Sequence, residues 1–237
     1  MPPESFRTAF LLRLGIPLNL SLNFCSCNSR TDPHGVHLLS CPKFIQLRTL
    51  KHDRVIQEFR FLATSGGNRT ETHNLDLFRE LDPGNGLKPD ILLYGVGTNG
   101  CNVLMDATFG DPRGQTNVDK AWNTRGHVIN TLNGKKVAKY GHLCDAIGIE
   151  FHPAAFEIFG STSDATETLI ARMVARAAEK NHIPYPNLLS YWRKRISTCI
   201  QLGNVDLLFK ASTRILTRSD DFKPPSAEAF LQEVLRS

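Results

Sequence analysis

The stretch CSCNSRTDPHGVHLLSC, from Cys25 to Cys41, constrains the chain more than any other. It holds three of the six cysteines together with His34 and His37. One residue separates Cys25 from Cys27, three separate His37 from Cys41, and nine lie between the two pairs. Thiolate and imidazole are the ligands zinc prefers, and a structural site takes four of them in a tetrahedron. A Cys-x-Cys turn supplies two thiolates. His37 and Cys41, four apart, project the same way from a helical turn. Asp32-Pro33-His34-Gly35 gives the tight turn that joins the halves. His34 competes with His37 for the fourth place, and the helical spacing to Cys41 favours His37. With four places filled and none open for water, the site reads as structural zinc. A loop with incidental Cys and His is the bland alternative.

Composition narrows the setting. The chain has 237 residues, 41% of them hydrophobic, enough for a sizeable core. No apolar run reaches the roughly 18 residues of a membrane span, so no membrane association is expected. The apolar run near the N-terminus is broken by Arg13, and no small-residue cleavage site follows it. An intracellular, reducing setting is therefore expected, in which six cysteines argue for metal or free thiols rather than disulfides. Cys101, Cys144 and Cys199 stand singly in apolar surroundings and read as small buried hydrophobes. The net charge of +5 suits a polyanionic partner without demanding one.

The pattern along the chain predicts a mixed α/β core. Residues 5–20 read as helix. Residues 44–63 read as an amphipathic helix with Phe44, Leu47, Leu50, Val55, Phe59 and Leu62 on its apolar face. Residues 64–89 read as a weak strand and loop. DILLYGVGTNGCNVLMDATFG reads as a hairpin with TNG at the tip. Residues 111–128 are poorly patterned. Asn133–Gly148 reads as a helix with Val137, Tyr140, Cys144 and Ile147 on one face. IEFHPAAFEIFG reads as a strand, residues 164–181 as a helix, and residues 187–216 as one or two more. A linker, RSDDFKPPS, and a last short helix are expected at the C-terminus.

The hairpin carries the candidate chemistry. With the turn centred near Thr98, the antiparallel partner of Asp90 is Asp106. Opposed residues share a face at roughly 5 Å. Two carboxylates so placed are unfavourable unless a cation joins them. Mg²⁺, which takes oxygen ligands and needs few carboxylates, is the natural candidate. Solvated strand ends are the bland alternative. On the next helix Lys136 and Tyr140 share a face, with Lys139 beside it. A lysine there can orient a water or stabilise charge on a phosphate; an ordinary solvated basic face is the alternative.

Taken in order, FRTAFLLRLGIP, CSC, DPHGVHLLSC, LKHDRVIQEF, KPDILLYG, LMDATFGDP, KKVAKY and FHPAAFEIFG resemble the C-terminal region of proteins encoded by non-LTR retrotransposons with a restriction-like endonuclease. The resemblance runs over roughly residues 5–215. It implies a CCHC zinc knuckle (Cys25, Cys27, His37, Cys41) ahead of a PD-(D/E)XK nuclease core. Residues 1–43 would hold the N-terminal helix and knuckle, 44–160 the restriction-like core, and 161–237 a helical C-terminal extension. Asp90 and Asp106 match the metal-binding acids, with Mg²⁺ as catalytic metal. The lysine, absent from its usual place because residue 108 is Thr, would be displaced to Lys136 or Lys139, with Tyr140 nearby. Glu58, Glu71 and Glu157 are further carboxylates that could join the site. The implied activity is Mg²⁺-dependent cleavage of a DNA strand, with DNA or RNA as partner and the nucleus as location. A remnant that binds nucleic acid without cleaving it is the alternative. No YxDD-like reverse transcriptase pair is present.

Overall fold

The computed structural model describes residues 1–18, 20, 22–72, 77–81 and 87–217. The expected linker and final helix after residue 217, and parts of the 64–89 loop, lie outside the described residues. The chain is mixed α/β: a four-stranded sheet in the order β1-β2-β3-β4, with helices on both faces. In chain order the elements are α1 (Pro3–Leu14), α2 (Val36–Ser40), α3 (Ile45–Ser65), β1 (Thr70–Thr72), β2 (Ile91–Leu93), β3 (Val103–Gly110), α4 (Val118–Asn123), α5 (His127–Ala146), β4 (Glu150–Glu157), α6 (Asp164–Asn181) and α7 (Tyr185–Leu216).

Strands β1, β2 and β3 form an antiparallel meander, and β4 lies parallel to β3. A parallel neighbour needs a crossover, and α5 supplies it. The expected hairpin is present. Its tip is a 3-10 turn over Thr98–Gly100, where Asn99 (φ 54°) and Gly100 (φ 77°) adopt the left-handed conformation that Asn and Gly tolerate best. β2 has three residues and β3 has eight, so β3 runs on past the start of β2. That mismatch leaves an open step at the edge of the sheet, and the candidate site sits there.

Side chains alternate across β3. Val103, Met105 and Ala107 face one core with Val55, Phe59, Leu62, Leu169, Met173 and Ile196 of α3, α6 and α7. Leu104 faces a smaller core with Tyr140, Leu143 and Cys144 of α5. A third cluster joins Leu12, Leu18, Cys25, Leu38, Cys41 and Leu47 to Leu207 and Leu208. Helix α7 is continuous over 32 residues, so it packs on the sheet-side core at one end and on the Cys/His region at the other.

Several local expectations are revised. Leu50 is 49% exposed, and Lys51 takes the inward position on α3. Val137 is likewise 49% exposed; Tyr140 and Cys144 are buried as the helical spacing indicates, together with Val128, Ile129 and Leu143. The poorly patterned stretch 111–128 contains α4 and the start of α5. Helix α6 starts as its capping residues indicate, with the Ser163 hydroxyl accepting from the Thr166 amide at 3.2 Å.

His152, on β4 between sheet and α6, is 5% exposed and shares a hydrogen bond of 3.2 Å with Thr166. Burial pushes its imidazole down to about 4. An imidazole held neutral in the fold but free to protonate when unfolded destabilises the fold as pH falls below about 6.5. His152→Leu is therefore expected to unfold less steeply with acid between about pH 6.5 and 4, a window worth up to about 3 kcal/mol. Urea titrations at both pH values measure it; equal acid sensitivity in the variant would refute the assignment.

Candidate functional site

The Cys/His cluster forms as the spacing predicts. Cys25, Cys27, His37 and Cys41 each present one ligand atom, and all four atoms lie within 4.8 Å of one another. Cys25 Sγ and Cys41 Sγ are 3.6 Å apart, and Cys27 Sγ lies 3.2 Å from His37 Nε2. The group could hold a metal ion such as zinc: three thiols and an imidazole are the donors of a closed tetrahedral site. His34 stands outside the group.

Local structure builds this pocket. Asn28, with φ 65°, turns the chain after the Cys-x-Cys pair, and the Asn28 amide donates to the Cys25 carbonyl at 2.8 Å. The Asp32 carboxylate accepts from the amides of His34, Val36 and His37 and so caps the short helix that carries His37. Burial and the thiols of Cys25 and Cys27 push Cys41 up to about 12, whereas hydrogen bonds from Ser29 bring Cys27 down to about 6. Several thiolates cannot share so small a pocket without a cation to compensate them.

The carboxylates meet at the open step of the sheet. The register pairs Ile91 with Met105, and one step outward brings Asp90 opposite Asp106, the pairing expected from the hairpin. The side chain of Asp106 is 3% exposed and that of Asp90 is 18% exposed. Asp90 Oδ2 accepts from the Ala107 amide at 2.7 Å, taking the place a longer β2 would have filled. Lys136 of α5 forms an ion pair with Asp106 Oδ2. Burial and the neighbouring Asp90 raise Asp106 above the usual carboxylate range, while Lys136 and Tyr140 oppose that rise. Tyr140 is buried, and both burial and Asp106 push its phenol up. Lys139 is exposed, with its ammonium 4.7 Å from the centre of the Tyr140 ring, whereas the ammonium on Asp106 is that of Lys136.

The structure adds His52 of α3, whose Nε2 is 2.9 Å from Asp90 Oδ2 and whose Nδ1 is 3.1 Å from Asp53. Burial alone would lower this imidazole, but the two carboxylates outweigh it and raise it to about 9. Lys51, the preceding residue, is 4% exposed. Its ammonium donates to Asn204 Oδ1 of α7 at 3.1 Å and lies 4.6 Å from the centre of the Phe109 ring. Burial brings it down to about 8. The sequence pattern places Lys51, His52 and Asp53 in the amphipathic helix and gives them no further role. One local signal for Lys51 was present: it lies four residues after Leu47 and four before Val55, on the buried stripe.

Room for Lys51 comes from Gly203, where a Cβ would stand 2.4 Å from Lys51 Cγ. Gly203→Ala is expected to destabilise by about 1–3 kcal/mol through overpacking, despite the better helix propensity of alanine, as a lowered midpoint in thermal unfolding.

Glu58 pairs with Arg195 of α7, and Glu71 accepts from the Tyr94 hydroxyl at 2.8 Å. Glu157, in β4 opposite Gly110, is pushed up by burial. None of the three lines the cleft that holds Asp90 and Lys136.

That cleft, of about 590 Å³, is bounded by Leu39 and Ser40 of the Cys/His region, the first half of α3, the end of β3, and Lys136. The zinc-type cluster and the carboxylate group are thus separate centres whose supporting elements share one cleft. No family model matches the chain, and no curated protein is significantly similar to it. No described helix is long and apolar enough to cross a membrane.

Proposed function

We propose that the protein is a Mg²⁺-dependent DNA endonuclease of the PD-(D/E)XK type, related to the restriction-like endonucleases of non-LTR retrotransposons, with a structural zinc held by Cys25, Cys27, His37 and Cys41. One observation carries this reading. A buried Asp106, paired with the Lys136 ammonium, lies beside a second carboxylate, Asp90, at the open step of a mixed sheet, and Asp90 and Lys136 line a cleft there. The donor set fits the metal: two carboxylates, one on β3 and one just ahead of β2, the first raised by burial and by its neighbour, offer hard oxygen ligands at a place that favours a cation. When bound there, Mg²⁺ would supply neutralisation of phosphate charge and a water made more acidic.

The chain's own residues supply the rest. Lys136, released from Asp106, places a positive charge beside the phosphate. Tyr140, buried beside Asp106, favours its charged form. His52 and the Ala107 amide hold Asp90 at the strand end. One such site per chain leads to a nick in one strand, with DNA as partner and the nucleus as place of action.

The test is conversion of supercoiled plasmid to open circle with Mg²⁺, with Mn²⁺ and with EDTA, comparing wild type with Asp106→Ala. Metal-dependent nicking that disappears in the variant supports the reading. One observation favours a second reading, a remnant that binds nucleic acid without cutting it: each carboxylate already faces a protein cation, His52 on Asp90 and Lys136 on Asp106. Folded, zinc-loaded protein that binds DNA but nicks with neither metal would establish it instead.

A further inference from the structure

We infer that Arg48 and Lys51 form a phosphodiester subsite, which holds a phosphate adjacent to the one at Asp90 and Asp106 and so makes the first half of α3 the track for the bound strand. This rests on the proposed nucleic-acid substrate and goes beyond it by assigning the binding wall. Both residues line the same cleft as Asp90 and Lys136. They stand three apart on α3 and therefore on one face.

Lys51 is the first support. An ammonium has three donors, and this one is 4% exposed with Asn204 Oδ1 as its one hydrogen-bond acceptor among the described residues. The Phe109 ring offers a π face and no lone pair. A buried cation with unused donors is costly unless an acceptor arrives. Arg48 is the second. Its Nη1 donates to the Ser40 carbonyl at 3.0 Å, which fixes the guanidinium against the Cys/His region. No described carboxylate lies within ion-pair distance of it, and its charge acts unfavourably on Lys51. Two cations that repel each other in one cleft mirror the two carboxylates beyond them, and an anion relieves the repulsion.

Of the acids in the cleft, Asp111 favours the Lys51 charge from a distance, but no carboxylate among the described residues bonds the Lys51 ammonium. Asp111 takes Arg113 through both oxygens, at 2.9–3.2 Å, and Asp53 faces His52. Direction follows from the helix. His52 touches Asp90, and Arg48 lies four residues earlier, about 6 Å along the axis. Arg48 therefore serves a neighbouring phosphate rather than the one at the carboxylates. A phosphodiester chain, with charge at each step, satisfies all of these groups at once.

The experiment is fluorescence anisotropy of a labelled 20-base-pair duplex, titrated without added Mg²⁺ at several salt concentrations. Wild type is compared with Arg48→Gln, Lys51→Met and, as a control, Arg60→Gln on the exposed far end of α3. Arg48→Gln is expected to weaken binding by about five- to tenfold and to lower the slope of log K against log salt by about 1, with Arg60→Gln near wild type. Lys51→Met should do the same. Because that buried position also supports folding, the half-exposed Arg48 decides the matter. An Arg48→Gln protein with the affinity and slope of Arg60→Gln overturns the inference, as does a wild type that binds no duplex. The plasmid assay, run in parallel, separates the two ideas. Nicking by a wild type whose Arg48→Gln variant binds normally leaves the nuclease reading intact and removes the subsite. Binding that depends on Arg48 without any nicking does the reverse.

Discussion

Asp106→Asn is expected to lower Mg²⁺-dependent plasmid nicking by at least about 100-fold, the scale of losing one well-placed electrostatic group, while the fold stays as stable as wild type or becomes more so. Both halves follow from where Asp106 sits. Its carboxylate is 3% exposed, across the strand pair from Asp90, and burial together with that neighbour raises it above the usual carboxylate range. Removing the charge relieves the repulsion. The partner it leaves, Lys136, is 25% exposed and can turn to water, so no charge is stranded in the core. Sites that keep like charges together hold function at the expense of stability. Open-circle formation and a thermal melt on the same preparation measure the two effects. A variant that melts many degrees lower would show that Asp106 is a structural partner of Lys136, and a variant that nicks as wild type would remove it from catalysis.

Cys41→Ser, or zinc removal by a chelator, is expected to lower the thermal midpoint by at least about 10 °C and to abolish duplex binding with it. A structural zinc contributes its binding free energy to folding, and in a domain of this size each kcal/mol moves the midpoint by about 2–4 °C. The cluster is no appendage. Cys25 and Cys41 are 4% and 1% exposed, packed with Leu12, Leu38, Phe44 and Leu47 and with Leu207 and Leu208 of α7. Loosening it frees α2, the start of α3 and the last turns of α7 together. Leu39 and Ser40 also line the cleft, and the Ser40 carbonyl holds Arg48, so the wall proposed to bind a strand is expected to loosen with the cluster. One zinc per chain by elemental analysis, and the visible absorption of a tetrahedral cobalt thiolate after exchange, are the direct checks. A chelated protein with an unchanged melt would refute the structural role.

What sequence alone determined about this protein is its short-range geometry. The choice of His37 over His34 followed from a four-residue helical step, and the structure places His37 in the cluster. The pairing of Asp90 with Asp106 followed from a turn near Thr98 and the two-residue period of strands, and the register agrees. Lys136 and Tyr140 came to one face by the helical repeat. In each case the residues are joined by a few turns of chain, and backbone periodicity leaves one solution. Tertiary structure alone decided the rest. His52 reaches Asp90 across 38 residues, and Lys51 reaches Asn204 across 153. Neither contact has a period to read, because each depends on the angle at which α3 crosses the sheet and on Gly203 leaving space in α7. The same applies to Lys139, one residue before Tyr140 yet solvent-facing, and to Glu58, drawn to Arg195 rather than to the cleft. Local spacing sets which side chains leave a strand or helix together; only the packing of layers sets what they meet.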